Sequence, residues 1–197
     1  MRIATLLLVA FLIGCSDGTA PDIKPPADLT ILRVAPTSPP LFNAVDSFYA
    51  RKGEDRELRI YFQNEVGGAG EEYLRLKVDA PSLQARPDGT PFVDGDSILI
   101  TVRVADPARI LFELEPSGLT FNPAVPALLK IHYDQADPDL DDDGDVDVED
   151  ESLVHQLAIW RQELPGDPFV RLGSVRAEEL EEIEAELQGF SRYAIAY

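Results

Sequence analysis

Aspartates occupy alternate positions in the acidic stretch 139–150, which reads DLDDDGDVDVED. Alternate residues of a tight loop can direct their side chains to one point, so that several carboxylates face each other there. A hard cation such as Ca²⁺ takes about six to eight oxygen ligands and suits such a set of carboxylates. The spacing therefore predicts a cation site in this stretch.

The stretch also matches the register of a twelve-residue calcium loop, counted from Asp139. Gly144 falls at position 6, where the loop needs a sharp turn, and Val146 falls at position 8, where an inward apolar residue is expected. Asp145, at position 7, is expected to bind through its main-chain carbonyl. The metal ligands that this register predicts are Asp139, Asp141, Asp143, Asp145 and Asp150.

The last position of the loop is Asp150, whereas the helix–loop–helix type of calcium site ends in glutamate. In this respect the loop resembles those of dockerins and related extracellular bacterial calcium modules. A dockerin has two such loops in tandem with helices, and this chain has one, so the resemblance covers the loop alone. It implies Ca²⁺ as the bound cofactor.

A solvated acidic loop is the alternative interpretation. Asp134 to Glu151 contains eleven carboxylates in eighteen residues and no lysine or arginine, and acidic runs usually only increase solubility. Such a run need not place glycine and an aliphatic residue at the required positions, however. The mutual repulsion of the carboxylates also disfavours folding without a cation. We therefore expect calcium binding.

The N-terminus has the composition of a secretory signal. Met1–Arg2 supplies positive charge, and the eleven residues from Ile3 to Ile13 are predominantly apolar. As a helix this run spans about 16 Å, too little to cross a bilayer core of ~30 Å. The pattern predicts a signal peptide over residues 1–14.

The signal ends in Leu12-Ile13-Gly14-Cys15, which resembles the bacterial lipobox. The resemblance implies cleavage after Gly14, lipid on Cys15 and the membrane as a partner. Ser16 stands where an inner-membrane lipoprotein of this family has aspartate, so we expect a bacterial envelope protein at the outer rather than the inner membrane. An ordinary signal with an unrelated cysteine is the alternative, but the only cysteine of the chain lies at the required position.

A proline-rich segment follows the cysteine. Residues 16–40 contain six of the sixteen prolines, and such sequence favours extended conformations over packing. The composition predicts a lipidated tether over residues 15–40. Leu29–Val34 is apolar enough to form a first edge strand instead, and the sequence leaves both alternatives open for this stretch.

Beyond the tether the dominant signal is the alternation of apolar and polar residues. Ser97–Val104 places four aliphatic side chains on one face, and similar runs recur at short intervals between turn residues. We predict an all-β fold over residues 41–197, an antiparallel β-sandwich. The acidic loop 134–151 is expected as a calcium-loop insertion in a hairpin between strands at 127–133 and 155–161. Residues 177–181 are expected to form a turn or short helix, followed by a strand over 182–188; because residues 176–187 are rich in helix formers, a helix over that stretch is the alternative.

The C-terminal half resembles the ZU domain, a β-sandwich module of zonula occludens proteins, netrin receptors and ankyrins. The similar parts are LEPSGLTFNPAVPALLKIHYD (114–134), PFVRLGSV (168–175) and GFSRYAIAY (189–197), and the resemblance spans about residues 95–197. It implies an interaction or scaffold module. Some members cleave themselves within His-Phe-Ser; this chain has Phe190-Ser191 preceded by Gly189, so we expect no self-cleavage.

Two further groups of residues suggest chemistry less strongly. His132 and His155 flank the acidic loop and could form a zinc site with an aspartate, although a histidine on a strand face is the simpler interpretation. Trp160 and Phe169 could stack on a sugar, but at strand spacing we expect them in the core.

Composition and charge limit the classes of function that the chain can have. A net charge of −19 argues against nucleic acid as a partner, and one cysteine excludes an internal disulfide. No catalytic constellation is discernible, so we expect no enzyme. The chain is predicted to be an envelope-anchored, calcium-stabilised binding or structural module, with an envelope protein or polysaccharide as a candidate partner. The alternative is a hydrolase of polysaccharide or another envelope polymer.

Overall fold

The computed structural model describes residues 21–197. The predicted signal peptide 1–14 and the predicted lipidation site Cys15 lie outside the described residues. None of the helices within 21–197 is long and apolar enough to span a membrane.

Residues 21–197 contain fourteen strands, one α-helix and two short 3-10 helices. The strands are β1 (Ile23–Lys24), β2 (Val45–Arg51), β3 (Arg56–Gln63), β4 (Ala69–Val78), β5 (Leu83–Ala85), β6 (Ser97–Asp106), β7 (Leu111–Glu115), β8 (Thr120–Phe121), β9 (Ala127–His132), β10 (Ala158–Gln162), β11 (Phe169–Arg171), β12 (Ser174–Ala177), β13 (Glu182–Leu187) and β14 (Arg192–Ala196). The helix α1 is Val148–Val154, and the 3-10 helices are Pro26–Asp28 and Glu178–Leu180.

Two antiparallel sheets make up the sandwich. One has seven strands in the order β1-β11-β10-β14-β7-β6-β2, and the other has five in the order β12-β13-β9-β4-β3. The alternation seen in the sequence decides which side chains enter the core: in β6, Ile100 and Val102 are fully buried, whereas Leu99, which precedes Ile100, is exposed. The predicted antiparallel β-sandwich is confirmed.

The main core fills the space between the sheets, and a second, smaller core lies around Trp160. Trp160 and Phe169 are buried there with Leu29 from the N-terminal segment, and the Trp160 indole donates to the Ala196 carbonyl at 3.0 Å. Both aromatic residues are therefore core residues, as their strand spacing suggests. The ring of Trp160 is buried and is not presented at the surface.

The N-terminal segment 21–40 packs on the sandwich instead of extending away from it as the predicted tether would. Leu32 is buried, its amide donates to the Ile195 carbonyl at 2.9 Å, and its carbonyl accepts from Ile110 at 2.8 Å. Ile31 forms an isolated bridge with Ala196. The apolar side chains of Leu29–Val34 account for this, because burial of their surface offsets the cost of ordering a proline-rich chain.

The predicted hairpin around the acidic loop does not form. β9 belongs to the five-stranded sheet and β10 to the seven-stranded sheet, so the acidic segment crosses between the sheets. The physical reason is that β4 and β13 occupy both edges of β9, which leaves no edge for β10. β10 also begins at Ala158 rather than at the predicted residue 155, because α1 precedes it.

Candidate metal centre

The turn of the acidic loop depends on two residues with left-handed backbone. Gly144 has a φ of +100° and Asp142 has a φ of +67°, and glycine and aspartate are among the residues that adopt this region at little cost. Main-chain amides within the turn donate to aspartate side chains: Asp143 N and Gly144 N to Asp139 at 3.2 and 3.1 Å. These bonds draw the side chains inward.

Three of the five predicted ligands converge. Carboxylate oxygens of Asp139, Asp141 and Asp143 all lie within 4.8 Å of one another, with Asp139 half-buried and the other two exposed. Within residues 21–197 this is the one group of three or more such side chains whose ligand atoms come that close. Three anionic oxygens around one point, beside an open approach, provide the donor chemistry that a hard cation takes.

The electrostatics of the loop are those of crowded negative charge. Desolvation, followed by the charges of Asp143, Asp150 and Asp139, raises the pKa of Asp141 above its ordinary value, against a lowering by the amide of Asp143. The carboxylates of Asp143 and Asp147 raise the pKa of Asp145. Because a raised pKa means that the ionised carboxylate is disfavoured, the loop at neutral pH carries a penalty that a cation would relieve.

Asp150 does not join the converging carboxylates, although its place in the loop register predicts a metal ligand. It is buried, and its carboxylate accepts from the amides of Leu140 at 2.6 Å, Asp147 at 2.9 Å and Asp141 at 3.3 Å. These bonds, that of Asp147 first, lower its pKa. Asp150 thus closes the loop on itself and stays outside the converging group.

The carboxylate of Asp145 also lies outside that group. The prediction for Asp145 concerned its main-chain carbonyl and does not require its carboxylate to join the group. One residue that sequence reasoning missed is Asp147. Its side chain caps α1 by accepting from the Glu149 amide at 2.8 Å, and Asp150 completes the capping box. Two aspartates three residues apart, one just before the helix and one in its first turn, were the available signal.

The loop is fastened to the two ends of the described chain. The Arg33 guanidinium donates to the Asp139 carbonyl at 2.6 Å and pairs with Asp142 at 2.7 Å and with Asp137 at 3.3 Å. The Tyr197 hydroxyl donates to the carbonyl of buried Leu140. Sequence reasoning did not identify Arg33, because 106 residues separate it from the carbonyl it binds.

The two histidines lie among different neighbours. His132 lies 3.6 Å from Glu72 and 3.8 Å from Glu182, whereas His155 lies 3.4 Å from Glu178. Neither belongs to a converging group of potential ligands in the part of the chain that the structure describes.

Gly189 and Ser191 lie at positions of the self-cleavage motif, and contacts within the fold involve both residues. A Cβ at Gly189 would lie 2.8 Å from the Leu119 carbonyl oxygen, so the close approach of the two backbones requires glycine. Ser191 is buried, and its hydroxyl accepts from Arg161 Nε at 2.9 Å. A histidine at residue 189 would therefore force these backbones apart.

Comparison of the chain with protein-family models, with curated proteins and with solved structures found no match.

Proposed function

We propose that this protein is a calcium-stabilised binding or structural module of the bacterial cell envelope, anchored through lipid on Cys15. The observation that carries the calcium proposal is the convergence of Asp139, Asp141 and Asp143 around the Gly144 turn. The register of the twelve-residue loop and the helix that follows it support the same cation.

The connections of the loop support a stabilising role for the ion. Ca²⁺ supplies positive charge that neutralises converging carboxylates, and its binding adds to folding stability when the unfolded chain does not bind it. Arg33 near the start and Tyr197 at the end of the described chain both hold this loop. An ordered loop would therefore favour the packing of both segments on the sandwich.

The anchor rests on the lipobox, and the chain length between Cys15 and Pro21 limits how far the sandwich can lie from the lipid. Residues 15–20 precede Pro21, the first described residue. Six residues reach at most about 20 Å even when fully extended. We infer that the sandwich lies close to the membrane surface, the outer membrane being favoured by Ser16.

A binding or structural role is preferred to the hydrolase alternative. The converging carboxylates Asp139, Asp141 and Asp143 belong to one turn and lie within 4.8 Å of one another, closer than the roughly 5–10 Å between the two carboxyl groups of a glycoside hydrolase. The resemblance of residues 95–197 to the ZU domain supports an interaction role.

Direct titration tests the calcium proposal. Calcium added to the purified chain in a calorimeter, after chelator treatment, should give saturable binding with one site and a Kd of about 10⁻⁴–10⁻³ M, the range of extracellular modules. Magnesium should bind more weakly because it demands a tighter octahedral shell. Absence of calcium heat up to 10 mM would reduce the loop to a solvated acidic segment.

A further inference from the structure

The described chain begins at one edge of the seven-stranded sheet. β1 follows Pro21 and is the last strand on that side, where Ile23 pairs with Val170 of β11. We call residues 21–28 and 158–171, which include β1, β10 and β11, the β1 edge. β2 closes the opposite side of the same sheet, six strand spacings or about 29 Å away.

Two aliphatic side chains of the β1 edge are exposed. Ile23 in β1 is 54% exposed, and Leu164 in the connection from β10 to β11 is 58% exposed. That connection ends beside β1, because Phe169, the first residue of β11, pairs with Lys24. Contact of aliphatic side chains with water is unfavourable, so both residues gain free energy by entering an apolar phase.

The predicted anchor brings the β1 edge, rather than another surface, to the membrane. The six residues 15–20 precede Pro21 and reach at most about 20 Å. Tyr49 is also exposed, but it lies on β2 at the far side of the sheet, beyond that reach when the β1 edge faces the bilayer. The short connection also keeps the local concentration of lipid high, so that a weak contact by two side chains persists.

The charge of the β1 edge is nearly balanced. It has three lysine or arginine residues and four carboxylates, whereas the whole chain has 17 and 36. Val146 and Val148 are exposed as well, but they lie in the acidic stretch 134–151, which has eleven carboxylates and no lysine or arginine. Anionic headgroups repel that stretch and repel the β1 edge much less.

We propose that the β1 edge is a lipid-contacting surface, and that Ile23 and Leu164 enter the headgroup–acyl boundary of the membrane that holds the lipid on Cys15. Apolar side chains of interfacial segments reach about 5–10 Å into this boundary. The seven-stranded sheet then stands with β1 toward the bilayer and β2 away from it. The inference rests on the proposed lipid anchor and names the surface that meets the lipid.

Fluorescent labels that respond to an apolar environment test the proposal. The lipidated chain is purified in detergent and reconstituted in vesicles of phosphatidylethanolamine and phosphatidylglycerol in equal amounts. Ile23→Cys and Leu164→Cys each add a thiol for the fluorophore NBD, because lipid blocks the sulfur of Cys15, the only cysteine of the chain. Tyr49→Cys is the matched control, since Tyr49 is 66% exposed at the opposite edge of the same sheet.

The emission of the labels at residues 23 and 164 should rise and shift to shorter wavelength on reconstitution, and doxyl-labelled lipids should quench it. The label at residue 49 should stay accessible to aqueous iodide. If all three labels stay accessible to iodide in a chain that floats with the vesicles, the inference is overturned and the anchor is left intact. Quenching of all three by doxyl lipids would overturn it too, because the contact would not be confined to the β1 edge.

A charge added at the β1 edge gives a second test. Ile23→Asp should reduce the emission gain of the label at residue 164, because a carboxylate opposes entry of this edge into the boundary. Val66→Asp, which adds the same charge at an exposed valine of the β3–β4 connection, should leave that gain unchanged. Equal reduction by both variants would mean general repulsion from anionic vesicles and would overturn the proposal. A chain that does not float with vesicles removes the lipid anchor and this inference with it.

Discussion

Asp139→Asn should abolish most of the stabilisation by calcium, while Asp142→Asn should retain it. Each change removes one negative charge from the same turn. Asp139 belongs to the converging group, whereas the Asp142 side chain is directed to Arg33 at 2.7 Å. Asparagine at residue 139 keeps an oxygen for one of the two turn amides, those of Asp143 and Gly144, and asparagine at residue 142 tolerates the positive φ, so both variants should fold.

The expected magnitude follows from linkage. With a Kd of about 10⁻⁴–10⁻³ M, 10 mM calcium exceeds Kd by about 10- to 100-fold and stabilises by roughly 1.4–2.7 kcal/mol. For a chain of this size 1 kcal/mol shifts Tm by about 2–4 °C, which gives a rise of about 3–11 °C. Loss of the exposed Arg33–Asp142 pair costs at most about 1 kcal/mol and is independent of calcium.

Differential scanning fluorimetry of both variants and the wild type, with chelator and with 10 mM calcium, measures this difference. The wild type and Asp142→Asn should show the rise, and Asp139→Asn should show less than a third of it. Equal loss in both variants would refute the reasoning, because the turn would then act only as diffuse negative charge.

Three other predictions follow from the sequence and the packing. Cys15→Ser should leave the precursor uncleaved or release the protein from membranes; a matured, membrane-bound variant in fractionation and mass spectrometry would contradict the lipid anchor. Burial raises the pKa of Tyr193 to about 12, so the folded chain keeps a proton that the unfolded chain loses above about pH 10. In urea unfolding, the contribution of Tyr193 to stability should be constant below about pH 10 and fall by up to about 2.7 kcal/mol toward pH 12; stability of Tyr193→Phe should depend less on pH in that range. The purified chain should stay intact; a fragment starting at Ser191, abolished by Ser191→Ala, would refute that.

Local regularities in the sequence were sufficient for several of the strands and for the turn. β6 was predicted from its alternation because side chains of a strand point to opposite faces whatever lies around it. Gly144 was placed at the sharp turn because positive φ is a property of one residue. The short 3-10 helix Glu178–Leu180 followed by β13 agrees with the expectation for residues 177–188 for the same reason.

Features that depend on distant partners could not be read from the chain. The path of the acidic segment between the sheets depends on β4 and β13 filling both edges of β9. The orientation of Asp150 depends on which amides the folded loop presents to it.

The sequence by itself determined the all-β class, several strands such as β6 and the spacing of the acidic loop, because each of these is encoded in neighbouring residues; lipid on Cys15 stays a prediction of the lipobox. Only the tertiary structure decided that the predicted tether packs over Trp160, that Arg33 holds the loop, and that the exposed side chains of Ile23 and Leu164 share the β1 edge. Those features arise where segments far apart in the chain meet. Their energies depend on burial and pairing that no local pattern records.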